Sequence, residues 1–184
     1  MPYHGVRTVF LMSVWARAMS VAVAIATAAL AAEAPFPPSA PALVDSNGKR
    51  VARPLTDTMM LISLGDGVVA PASIRPIYDA DGRTASGTAT WQAGGSVLFT
   101  SSDCTTGGHV YSLPVAGVRA AAQVQTAAGI VLYIGAIGSA TTVGVHSILY
   151  DTGCAPVTIQ QNGLLPVVTT LNLSKAYPPP LSFQ

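Results

Sequence analysis

Four side chains in this sequence are of types that do chemistry in combination: Cys104, His109, His146 and Cys154. A thiolate beside an imidazole base is a nucleophile, and two cysteines with two histidines form a tetrahedral zinc set. Neither pattern is supported by the spacing. The four residues contain no tight C-x-x-C or H-x₃-H element, and nothing near either cysteine would lower a thiol pKa. His109 and His146 lie in strand-like contexts and read as half-buried sheet residues. The carboxylates are equally plain. Asp79-Ala80-Asp81-Gly82 has the spacing that opens a calcium loop, yet Thr90 stands where the bidentate Glu belongs and Arg83 takes the fifth position, so it reads as a turn. Ser46-Asn47-Gly48-Lys49 fits S-x-x-K in form, but Asn-Gly makes a turn where that nucleophile needs a helix start.

Asp45, Asp66, Asp79, Asp81, Asp103 and Asp151 all sit among Gly, Ser, Asn or Thr, the setting of Asx-turns. Two of Asp79, Asp81, Asp103 and Asp151 brought to about 5–9 Å would make a hydrolase pair, and that alternative stays open. Trp91, Tyr111, Tyr133, Tyr150 and Tyr177 are candidates for a sugar-stacking face, with core packing as their default role. No G-x-S-x-G, H-E-x-x-H or phosphate-binding loop occurs. The sequence therefore assigns no catalytic, cofactor-binding or metal-binding residue, calls for no cofactor, and leaves the ligand-binding residues unknown.

The first residues define where the protein acts. Arg7 and Arg17 precede the apolar run from Ala18 to Leu30, and Ala29-Leu30-Ala31 supplies a small-x-small cleavage site. This is a secretory signal over residues 1–31, with an apolar helix of about a dozen residues. Met12 is an alternative start. An uncleaved anchor is the competing reading, opposed by Arg17, whose burial in a bilayer would cost about 2.5–3.5 kcal/mol. Residues 32–42 form a Pro-rich, extended leader. The expected location is periplasmic or secreted, with no membrane span after cleavage. In that setting Cys104 and Cys154, the sole pair, read as a disulfide. Without Arg7 and Arg17 the chain has seven basic residues against eight acidic, no basic field for phosphate backbones, and nucleic acid is excluded as a partner.

From residue 43 to 184 the chain reads as a single β-rich domain. Glu33 is the only Glu, and Lys49 and Lys175 are the only lysines, so long charged helix formers are nearly absent. Asn47-Gly48 between apolar flanks predicts a hairpin with a type I′ turn. Strands are predicted over 58–64 and 68–70 around Gly65-Asp66-Gly67, over 74–78 before the Asp79–Gly82 turn, and over 97–100. Further strands are predicted over 109–113, 118–125, 130–134, 146–150 and 163–168. The segment from Tyr177 to Phe183 is Pro-rich and predicted to pack as an edge. The expected fold is all-β, an antiparallel meander forming a small sandwich or barrel-like domain.

Val44-Asp45-Ser46-Asn47-Gly48-Lys49-Arg50-Val51, the segment from Phe99 to Gly107 around Cys104, and the later Cys154 carry a resemblance. The chain resembles small exported β-rich proteins of Proteobacteria, in which a D-x-N-G-K-x-V hairpin precedes a T-S-x-D-C segment. Thr106 before Gly107 and Val68 in place of an aromatic depart from that pattern. The resemblance implies export, a β-rich fold and a disulfide, and it implies no activity. The resulting expectation is a non-catalytic envelope or cell-surface binding module of unknown ligand. A secreted hydrolase and a structural or assembly protein are the alternatives, and a homo-oligomer is compatible with all three. Intact-mass measurement after thiol alkylation checks export: the recovered protein is expected to begin at Ala32, unalkylated and two hydrogens lighter than its reduced form.

Overall fold

The computed structural model describes residues 42–184 except Asp66 and Thr84. The signal segment 1–31, the leader up to residue 41, and the Asp66 reading lie outside the described residues. Twelve strands and one helical turn make up the rest: β1 (Leu43–Val44), β2 (Arg50–Pro54), β3 (Met59–Gly65), β4 (Val68–Tyr78), β5 (Ala85–Trp91), β6 (Val97–Phe99), β7 (Gly108–Tyr111), β8 (Ala121–Thr126), β9 (Gly129–Gly135), β10 (Thr141–Tyr150), β11 (Gly153–Asn172), α1 (Leu173–Ala176) and β12 (Leu181–Phe183). The all-β expectation holds, and all the strand pairs are antiparallel.

The first hairpin forms where Asn-Gly predicts it, with a different turn. Gly48 has φ 75° while Asn47 is not in the left-handed region, so the two positive φ angles of type I′ are absent. The cause is Asp45, whose Oδ1 accepts from the N–H groups of Asn47 and Lys49 at 2.9 Å each. Gly48 N–H also donates to the Asp45 carbonyl at 2.9 Å. The carboxylate thus organises a three-residue turn that needs only one left-handed position, supplied by glycine.

β2 to β5 form an up-and-down meander, and β1 and β12 close it into a six-stranded barrel in the order β1-β12-β5-β4-β3-β2. Period-two alternation builds its interior: Ala70, Ala72 and Ile74 of β4 are buried while their neighbours are more open. Two sequence readings are corrected here. β4 runs unbroken through Pro71 and Pro76, which occupy ladder positions opposite Leu61 and Ala89, so the two predicted strands are one. The Pro-rich tail is no edge. Leu181 is fully buried, and its strand lies between β1 and β5, where it removes two open sheet edges at once.

The second sheet has the order β10-β6-β7-β11-β9-β8. Its β11 is long enough to serve three partners in succession: β10, then β7 at Leu164–Pro166, then β9 from Val167 onward. The predicted strand over 163–168 is the middle of this element. Ile130, Leu132 and Ile134 of β9 and Leu173 of α1 join the buried cluster of the barrel, so one core spans both sheets.

Cys104 and Cys154 form the disulfide, with Cα atoms 5.9 Å apart. Such a bond is the mark of an oxidising, extracytoplasmic setting. It ties the β6–β7 loop to the start of β11, and fully buried Ser147 holds the same loop by accepting from Cys104 N–H at 3.0 Å and donating to the Ser101 carbonyl at 2.6 Å. Loop closure across a separation of 50 residues is worth up to about 4 kcal/mol. Replacing both cysteines by Ala is expected to lower the unfolding free energy by about 2–4 kcal/mol, measured by urea denaturation. An unchanged midpoint would show that Ser147 and the ladders hold the loop without the disulfide.

Candidate functional site

Barrel and second sheet meet at a seam where β4 faces β8. A buried amide stitches it: Gln123, 6 % exposed, accepts from Ser73 N–H through Oε1 at 2.8 Å and donates from Nε2 to the Ser73 carbonyl at 3.0 Å. A side chain thereby imitates one rung of a β ladder, and its own polar atoms are satisfied in return. The backbone carbonyl of Gln123 accepts from the N–H groups of Gly94 and Gly95 at 3.3 and 2.9 Å. This approach requires glycine. A Cβ on Gly95 would lie 2.8 Å from Gln123 N and 3.0 Å from its carbonyl oxygen.

Above this stitch the connection from Gln92 to Ser96 opens into a cleft of about 530 Å³. Thr58 and Met59, Pro71 and Ser73, Ala121 to Gln123, and Tyr111 of β7 complete its walls. None of these lining residues is Asp, Glu, His, Lys or Arg. The cleft offers amide, hydroxyl and main-chain hydrogen bonds beside Tyr111, a residue 51 % exposed, and its lining contains no carboxylate, imidazole or amine. It is suited to holding a neutral polar molecule.

The residues singled out from sequence are dispersed. With Cys104 and Cys154 joined, neither a thiolate nor the four-residue zinc set can form. His109 is half-buried, with Nδ1 at 2.8 Å from the Gly107 carbonyl oxygen; His146, expected to be half-buried, is exposed on β10. The carboxylates serve turns and connections. Asp81 accepts from Arg83 N–H at 2.8 Å, Asp151 from Gln125 N–H at 2.9 Å, and Asp103 from the Thr105 hydroxyl at 2.7 Å. The hydroxyls of Thr105 and then Ser101 hold Asp103 below the usual carboxylate range. Among the described residues no three of His, Cys, Asp and Glu come together in a metal-binding group, and no helix is long and apolar enough to cross a membrane.

The aromatics divide as well. Trp91 is 3 % exposed and donates its indole N–H to the Tyr177 carbonyl at 2.9 Å, which makes it a core residue. Tyr177 lies under the Lys49 ammonium at 4.5 Å, and burial of Tyr133 pushes its phenol pKa up. Of the five, Tyr111 alone lines the cleft.

Sequence reasoning passed over Gln123 and the glycine pair. The available signal was the pair of adjacent glycines before β6; Gln123 shares its phase with Gln125 opposite Ala122 and Val124, and so reads as an ordinary outward polar position. No protein-family model, curated protein or solved structure matches the chain.

Gln123→Ala strands the Ser73 N–H, whereas the Ser73 carbonyl keeps its bond from Gln92 N–H. The expected loss is about 1–3 kcal/mol of stability, read from chemical denaturation, with faster hydrogen exchange at Ser73. Unchanged exchange there would show that the amide is not what joins β4 to β8.

Proposed function

We propose that this chain is an exported, non-catalytic β-domain that works in the periplasm or after secretion as an envelope or cell-surface binding module. Its ligand class is a neutral glycan held in the Tyr111 cleft. The observation that carries this reading is a lining free of charged side chains around one exposed tyrosine ring. Sugars offer hydroxyls to amides and an apolar ring face to an aromatic, so the two chemistries match. The cleft lies in the range of about 300–1,000 Å³ typical of small-ligand sites.

Export is supported by the signal-like first 31 residues, by the disulfide, and by the resemblance to small exported proteobacterial proteins. A nucleic-acid partner is disfavoured by the near-neutral charge. The hydrolase alternative with paired Asp residues gains little, because the candidates lie on three separate connections, Asp79 and Asp81 between β4 and β5, Asp103 between β6 and β7, and Asp151 between β10 and β11, and none of them lines the cleft.

Tyr111→Ala removes the ring from an exposed position and is expected to leave the melting temperature nearly unchanged. It should weaken binding of a neutral envelope glycan, screened by array and titrated calorimetrically, by about tenfold or more. Binding that survives the substitution would move the ligand out of the cleft, and turnover of any glycan by the purified domain would overturn the non-catalytic reading.

A further inference from the structure

A second concavity, of about 370 Å³, shares no lining residue with the Tyr111 cleft. It lies between the β7–β8 connection and the β9–β10 connection. Its walls include Val68, Leu113, Val115, Ile137 and Leu165, with Arg119 among them. Three of these apolar side chains, Leu113, Val115 and Ile137, are open to solvent, Ile137 by 77 %, the most exposed of the large apolar side chains among the described residues. Exposed large apolar groups gathered at one hollow mark a place where apolar surface is covered by something else.

Arg119 gives the hollow its chemistry. The chain around it is fixed to the barrel: Arg119 N–H donates to the Val69 carbonyl at 2.8 Å, and Val118 bridges Val69 in parallel. The guanidinium is held by one neutral acceptor, the Gly135 carbonyl at 3.0 Å from Nη1. Its Nε is shut off from solvent without a hydrogen-bond partner, and no carboxylate among the described residues pairs with the side chain. A cation set in an apolar wall without a counter-ion is costly, and an anion placed beside it offsets that cost. Arginine's planar fork fits a carboxylate well.

We infer that this hollow binds a medium-chain fatty acid, its carboxylate beside Arg119 and its tail against Leu113, Val115 and Ile137. The site is independent of the glycan reading, since the two cavities use different residues. A carboxylate opposite arginine gives acid-over-alcohol selectivity, while the apolar walls contribute affinity to either head group.

The test titrates octanoate and 1-octanol into the mature protein by calorimetry and by backbone amide shifts. Octanoate is expected to bind one to one, about tenfold or more tighter than 1-octanol, with shifts in residues 113–119 and 136–138. Arg119→Met is expected to reduce octanoate to the affinity of the alcohol. Ile137→Gln, at an exposed position, is expected to weaken both severalfold and decides the tail contact if Arg119→Met fails to fold. The proposal is overturned if octanoate does not bind, if acid and alcohol bind alike, if the preference survives Arg119→Met, or if Ile137→Gln leaves octanoate affinity unchanged.

Discussion

The arrangement of this molecule depends on how a barrel and an adjoining sheet share polar backbone at their seam. Buried main-chain groups need partners, and Ser73 lies just beyond the last β4–β5 rung, Ile74 opposite Trp91. Gln123 resolves this by placing a side-chain amide where a ladder rung would stand, pairing both polar groups of Ser73. Its own carbonyl then accepts from Gly94 and Gly95, which draws the β5–β6 connection against β8. Gln123, Gly94 and Gly95 line the Tyr111 cleft, so this contact forms part of its wall. A residue with a side chain at position 95 would separate the two backbones.

Closure of the two sheets is distributed along the chain. The barrel needs residues from both ends of the described region, because β1 and β12 pair with each other and complete the meander of β2 to β5. The second sheet depends on the length of β11, which passes from β10 to β7 to β9 without interruption. Leu173 immediately after it is buried in the barrel's cluster, so the strand that organises one sheet delivers the chain back to the other. The disulfide and Ser147 fix the β6–β7 loop of this sheet from two sides. These contacts are mostly long-range in sequence, a topology that folds slowly and gains from a cross-link in the unfolded chain.

Low charge has two consequences. It leaves the Tyr111 cleft electrically neutral, suited to hydrogen bonding and stacking. It also makes an uncompensated cation such as Arg119 conspicuous, since few carboxylates are available to answer it. Two of the described carboxylates act within their own turn or loop. Asp45 organises the first hairpin, and Asp103 is held ionised by hydroxyls of its own loop.

By itself the sequence determined the local structure: strands where apolar residues alternate, turns where Gly and Asp punctuate, a hairpin at Asn47-Gly48, and the pairing of the only two cysteines. These depend on backbone preferences and on near neighbours, which composition and spacing encode directly. It left undecided that β4 is one strand through two prolines and that the Pro-rich tail closes the barrel. It also gave no means of choosing among five aromatics, of which the fold buries Trp91 and leaves Tyr111 lining a cleft. Only tertiary structure decided these, because each depends on which distant backbone lies alongside, and that is set by closing the barrel and burying one shared core.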